Sequence, residues 1–165
     1  MAFRPEKAFR IADSRHPIFD GTGASLVGAR WNSAGRRVIY AADSFAAAIL
    51  EMLVHTSIGK IPSSHQWIDV VIPRDVSLET LNGDSLSGWN DEDSASARQF
   101  GDAWLASNRS LVLVVPSIVT GGLSQNILIN QDHPEFSSLK PSTPRAVAWD
   151  ARLFSRASFP ISSSA

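Results

Sequence analysis

Four polar side chains in this 165-residue chain are candidates for chemistry: Arg30 in GARWN, Tyr40 in RVIYAA, Glu51 in AADSFAAAILEMLVHTS, and Ser117 just past LVLVV. Glu51 is the least ordinary of them, because every other residue from Phe45 to Val54 is apolar. A carboxylate in such a run either reaches water or is kept charged for a purpose, since burying it alone is expensive. On a helix its neighbours would be Ala47, Ala48, Val54 and His55, a small and apolar setting with one imidazole at i+4. A wet helical stripe or a Glu51–His55 pair explains it as well as a functional role does. Taken singly, the others have equally plain explanations: a surface ion pair for Arg30, a packed aromatic for Tyr40 and a turn hydroxyl for Ser117. Spacing alone does not connect them.

Several chemistries fail on residue type. Glu51 and His55 form an E-x-x-x-H pair, but His16, His65 and His133 stand singly in expected loops, so no metal site is expected. The absence of cysteine removes thiol nucleophiles, disulfides and Cys-ligated zinc. G-x-S-x-G does not occur, and GTGASLVG is neither a dinucleotide fingerprint nor a phosphate loop and precedes no recognisable helix start.

The elements that would position these residues follow from periodicity and punctuation. Phe9–Ile11 begins a strand, a glycine-rich loop runs to Arg37, and Arg37–Ala42 forms a second strand. Asp43 or Ser44 then caps a helix to about Ser57, stopped by Gly59 and Pro62. Trp67–Ile72, Val76–Leu81, Leu111–Val115, Asn126–Asn130 and Ala146–Asp150 read as strands, and about Ser94–Ser107 as a helix with Ala97, Phe100, Trp104 and Leu105 near one face. Strands outnumber helices without βαβ alternation, which predicts an α+β fold. Residues 1–154 are expected to form a single domain, with 155–165 a flexible Ser-rich tail.

A composition of 44% hydrophobic and 19% charged residues is that of a globular protein. No apolar run approaches the length of a membrane span, and MAFRPEKAFR has no apolar h-region, so a cytoplasmic protein without a membrane partner is expected. A net charge of −1 gives no general attraction to nucleic acid. Locally, residues 1–40 carry Arg4, Lys7, Arg10, Arg15, Arg30, Arg36 and Arg37 against three acids, while residues 75–102 hold Asp91, Glu92 and Asp93. This is either a pair of solvated patches or an anionic small-molecule site in the first third.

The combination of G-x-G-A, G-x-R-W-N, a strand ending in Y-x-A, a helix bearing L-E-x-L-x-H, then LVVPS, NILIN, DHPEF and WDARLF resembles the RES-domain family, toxins of bacterial RES–Xre toxin–antitoxin systems. The resemblance runs over residues 9–154 and is loose between 60 and 110. Ala29 stands where the family often has Gly, and Gln131 where Pro is common. The Arg, Glu and Ser that name the family match Arg30, Glu51 and Ser117, and Tyr40 matches a further family position.

The resemblance implies an ADP-ribosyltransferase-like α+β fold with two small β-sheets around an NAD-binding cleft. It also implies cleavage of NAD at the nicotinamide–ribose bond, with NAD as substrate and no cofactor. The implied partner is a helix-turn-helix antitoxin of the Xre type, which would contact DNA in this chain's place; a homo-oligomer is compatible with the sequence. Glu51 would stabilise charge on the ribose, Arg30 and then Arg10 would hold the pyrophosphate, and Tyr40 would stack on nicotinamide. Ser117 would bond a carboxamide or ribose hydroxyl, and His55 would orient Glu51 or support the pocket. Water, phosphate or a protein acceptor would make the chain a glycohydrolase, a phosphorylase or an ADP-ribosyltransferase. A non-catalytic domain binding a nucleotide or its antitoxin is the alternative outside enzymes.

Overall fold

A computed structural model describes residues 3–55 and 60–154; the expected end of the Glu51 helix at Ser57 and the Ser-rich tail lie outside them. Eight strands, β1 (Lys7–Asp13), β2 (Val38–Ala42), β3 (His65–Val71), β4 (Leu78–Thr80), β5 (Val112–Pro116), β6 (Gln125–Asn130), β7 (Lys140–Pro141) and β8 (Arg145–Ala146), join in one sheet. Its order is β4-β5-β6-β2-β1-β3-β7, with β8 also on β3, and every pairing is antiparallel except β4 with β5. Among the described residues three α-helices accompany it: α1 (Thr22–Val27), α2 (Phe45–His55) and α3 (Ala95–Ser107).

The expected α+β class is observed, whereas the two separate sheets are replaced by a continuous one. The physical reason lies at β1 and β2. β1 pairs along seven residues with β3, and β2 along five with β6, but β1 and β2 meet only at Phe9 and Ala42. The sheet is therefore two halves held by one short seam. Alternation sends Ile39, Ala41, Val112, Val114, Ile127 and Ile129 to one face, where Ala8, Ile68 and Val70 from the other half join the same core. Residues from both halves meet in one cluster because the sheet curls around it.

The opposite face is covered in two places. α3 packs Ala97, Trp104 and Leu105 on Val38, Leu113, Val115 and Leu128, while α2 packs Ala47 and Ala48 near Ile11, Ala42 and Val147. Three further differences from expectation have local causes. α1 falls inside the glycine-rich loop: Asp20 bonds the Thr22 amide and hydroxyl at its start, and none of its residues is buried, so no apolar face marks it in the sequence. The Val76–Leu81 strand shrinks to β4. Of Ala146–Asp150 only Ala146 is in a strand, because beyond it Val147 and Trp149 turn to pack around α2, and Asp150 caps a 3-10 turn by accepting from the Arg152 amide.

Candidate active site

A cavity of about 660 Å³ opens on the face between α2 and the Arg30 loop, and its walls include Arg10, Arg30, Tyr40, Glu51, His55 and Asn126. Five of the six residues proposed from sequence line it; Ser117 does not. Val27, Ala48, Met52, Val54, Ile118 and Val119 give much of the wall an apolar character. The volume falls within the range of about 300–1,000 Å³ usual for small-molecule sites.

α2 begins just after β2, and its first turn is tied down where the Ser44 hydroxyl accepts from the Ala47 amide and Asp43 Oδ2 from the Gln125 amide. Ala47 and Ala48 bury against the sheet, which turns Glu51 onto the cavity wall, partly exposed. Two donors meet on one of its oxygens: Ser117 Oγ at 2.7 Å and Asn126 Nδ2 at 2.9 Å from Oε1. Ser117, 1% exposed, therefore stands behind the carboxylate rather than facing a ligand. Glu51 bonds these two residues and not His55, which is exposed at the cavity edge.

The Arg30 loop is held from three sides. Gly101 of α3 lets the helix meet the loop backbone: a Cβ there would lie 1.8 Å from the Trp31 carbonyl oxygen. Asp102 accepts from the Ser33 amide and hydroxyl. From β2, the Tyr40 hydroxyl accepts from the Trp31 amide at 3.2 Å and donates to Asn32 Oδ1 at 2.7 Å. Burial pushes the Tyr40 phenol above its ordinary range, so it stays protonated as this donor. Gly28, with φ +74°, supplies the turn into the loop; a Cβ there would lie 2.9 Å from the Asn32 carbonyl oxygen. Arg30 Nη1 donates to the carbonyls of Trp89 and Asp91, which brings one end of the acidic segment to the site as backbone acceptors.

Arg10 sits at the seam of the sheet. Its guanidinium donates to the carbonyls of Ile18, Tyr40 and Asp20, taking the place of ladder bonds where β1 and β2 part. Burial lowers its pKa to about 10, which leaves it a cation at neutral pH. Among the other cations of the first third, Arg4 donates to the carbonyls of Pro73 and Val76, and Lys7, Arg15 and Arg37 pair with Asp69, Asp13 and Asp132. Only Arg10 and Arg30 of that basic group line the cavity. His133 is a structural residue: its Nδ1 accepts from the Glu135 amide and its Nε2 bonds the Asn108 carbonyl. Among the described residues no group of three or more His, Asp or Glu is placed to hold a metal ion, and no helix is long and apolar enough to cross a membrane.

Sequence reasoning missed Asn126 and Gly101. The first reads as the opening residue of a strand and the second as a weak helical position. Alternation along NILIN puts Asn126 and Leu128 on one face, and Leu128 packs under α3; that was the available signal.

The RES domain family profile matches residues 7–150, and this chain belongs to that family. A Sphingobium protein (strain YBL2) named Prs ADP-ribosylating toxin is 34% identical over 141 residues, covering 83% of this chain and 87% of that protein. Toxin Res of Pseudomonas putida is 34% identical over 143 residues, covering 86% and 96%. The fold is similar to that in the crystal structure of the M. tuberculosis MbcT–MbcA toxin–antitoxin complex, with a TM-score of 0.73 at 17% identity over 90% of this chain and 86% of that one.

Proposed function

We propose that this protein is the toxin of a bacterial toxin–antitoxin pair, and that it cleaves NAD at the bond between nicotinamide and ribose in an ADP-ribosyltransferase-like cleft. The observation that carries the reading is Glu51: one carboxylate oxygen is fixed by two donors on the wall of a cavity that also holds two arginines. Relatives named as toxins, matched over most of their length, support the biological half.

Nicotinamide in NAD is a cationic leaving group. As the C1′–N bond breaks, its electron pair goes to the pyridinium nitrogen, and nicotinamide leaves neutral without a general acid. Positive charge grows on the ribose C1′ and ring oxygen, and an ionised Glu51 stabilises it directly or through the 2′-hydroxyl. The apolar walls reduce water around the carboxylate and strengthen that attraction. Arg30, with one nitrogen braced by two carbonyls, offers the rest of its fork to pyrophosphate oxygens, and Arg10 adds a second cation. Tyr40 contributes a ring face beside the nicotinamide while its hydroxyl holds the Arg30 loop. Ser117 acts on Glu51, in place of the substrate contact that sequence alone suggested. An acceptor oxygen then adds to C1′ and its proton is released to solvent.

Water as acceptor gives a glycohydrolase and phosphate a phosphorylase. Transfer to a macromolecule is the second reading, favoured by the relative named as an ADP-ribosylating toxin. A cognate antitoxin of the Xre helix-turn-helix type is the expected partner, and exposed Val27, Val54 and Ile118 at the cavity walls are apolar surface such a partner would bury. The test is to incubate antitoxin-free protein with NAD, with and without phosphate and with cell extract, and separate the products. Nicotinamide with ADP-ribose, with a phosphorylated ADP-ribose, or with ADP-ribosylated macromolecule identifies the acceptor. No nicotinamide under any condition overturns the reading.

A further inference from the structure

We infer that Asn126 is a positioning residue for Glu51, one that sets which carboxylate oxygen faces the substrate; this rests on the reading of Glu51 as the charge-stabilising group. Asn126 lies in β6, paired with Ala42 of β2 on one side and Val115 of β5 on the other. Its backbone is thus held in the middle of the sheet, and its short side chain carries few rotatable bonds to the carboxylate. Glu51, by contrast, is a long side chain on a helix that buries only Ala47 and Ala48. A rigid strand residue fixes a flexible helical one.

The second observation is an orphan. Among the described residues Asn126 Oδ1, which is buried, has no hydrogen-bond partner, while Nδ2 donates to Glu51 Oε1 at 2.9 Å. A buried amide oxygen without a partner is costly, and most proteins avoid it. Turning the amide over would not help, because it would set Oδ1 against the Glu51 carboxylate. The side chain therefore accepts one unsatisfied atom in order to keep a donor on a charged acceptor, where hydrogen bonds are strongest. Ser117 bonds the same oxygen at 2.7 Å, so both donors hold Oε1, and by this inference Oε2 is the oxygen offered to the cavity that Glu51 lines. Asn126 and Ser117 together make Glu51 a carboxylate with one working oxygen.

Asn126→Leu separates this role from a structural one. The substitution keeps the shape, removes the orphan oxygen and removes the donor. If Asn126 served only the fold, Leu would be tolerated without loss of activity. Positioning predicts a kcat for nicotinamide release lower by roughly ten- to a hundredfold, the worth of a charged hydrogen bond. KM for NAD should change far less than kcat, because Asn126, although it lines the cavity, gives its donor to Glu51 and keeps its Oδ1 buried, and thermal stability should be unchanged or higher. In crystal structures, the Glu51 carboxylate should have a single orientation in the wild type and lose it in Asn126→Leu. Unchanged kcat, or a Glu51 conformation identical in the two proteins, overturns the inference. Absence of nicotinamide release by the wild type overturns the NAD reading instead, and the Glu51 conformation then still decides the role of Asn126.

Discussion

Helix α2 is the more apolar of the two long helices, with Glu51 and His55 as its only polar side chains, yet it buries just Ala47 and Ala48. Helix α3 carries Ser, Arg, Gln and Asp and buries Ala97, Gly101, Trp104 and Leu105. The polar helix is the buttress and the apolar helix is the wall. α3 spends its buried face on the sheet and on the Arg30 loop, where Gly101 permits backbone contact and Asp102 bonds Ser33. α2 leaves Leu50 and Val54 44% and 58% exposed and turns its one carboxylate to the cavity. On the proposed reading, the apolar surface left uncovered beside a fixed charge is where the substrate would bind, and the apolar surface fully covered is where the fold is held.

Substitutions on the buttress should break folding, and those at the cavity should break function with the fold intact. The largest effect on stability is expected from Gly101→Ala, whose new Cβ meets the Trp31 carbonyl at 1.8 Å. It should cost roughly 3 kcal/mol in urea unfolding and lower activity by displacing Arg30. Arg30→Lys comes next: the charge stays and the fork is lost, so KM for NAD should rise by about tenfold, the equivalent of one good hydrogen bond, with unfolding unchanged. Equal NAD affinity would argue against a two-point phosphate contact. Leu50→Gln, on the exposed side of α2, should change stability by no more than about 0.5 kcal/mol. A larger loss would mean that α2 is a packed helix after all.

Tyr40 gives a spectroscopic test of the junction between the two regions, since it is the only tyrosine in the chain. Burial raises its folded pKa above the ordinary value. Its contribution to stability is therefore complete below the unfolded phenol value of about 10 and is lost as pH rises above it. Tyrosinate absorbance should be absent from the native protein at a pH where the urea-unfolded chain is already titrating. A native titration at the ordinary value would mean that the hydroxyl is not enclosed between Trp31 and Asn32.

Much of this arrangement was legible beforehand. Glu51 stood out because a charge in an apolar run needs a reason, and helical spacing correctly put Ala47 and Ala48 beside it. β5 followed from a continuous apolar run, and α3 from its periodic face. What stayed hidden depends on contacts distant in sequence. Asn126 and Ser117 meet Glu51 from 75 and 66 residues away, and no local pattern encodes a shared acceptor oxygen. Gly101 reads as a flaw in α3 until the Trp31 carbonyl is set against it. α1 was missed because no buried face gives it periodicity. Joining the two half-sheets at Phe9 and Ala42, with Arg10 bridging the gap, is likewise a tertiary event.

The central claim is that one fixed carboxylate on the α2 wall does the chemistry. The most direct measurement compares nicotinamide release from NAD by the purified wild-type protein and by Glu51→Gln, after circular dichroism and thermal unfolding have shown both to be equally folded. The account predicts release by the wild type and a rate lower by about a hundred- to a thousandfold in Glu51→Gln, since shape is kept and charge removed. Equal rates from the two proteins would contradict it.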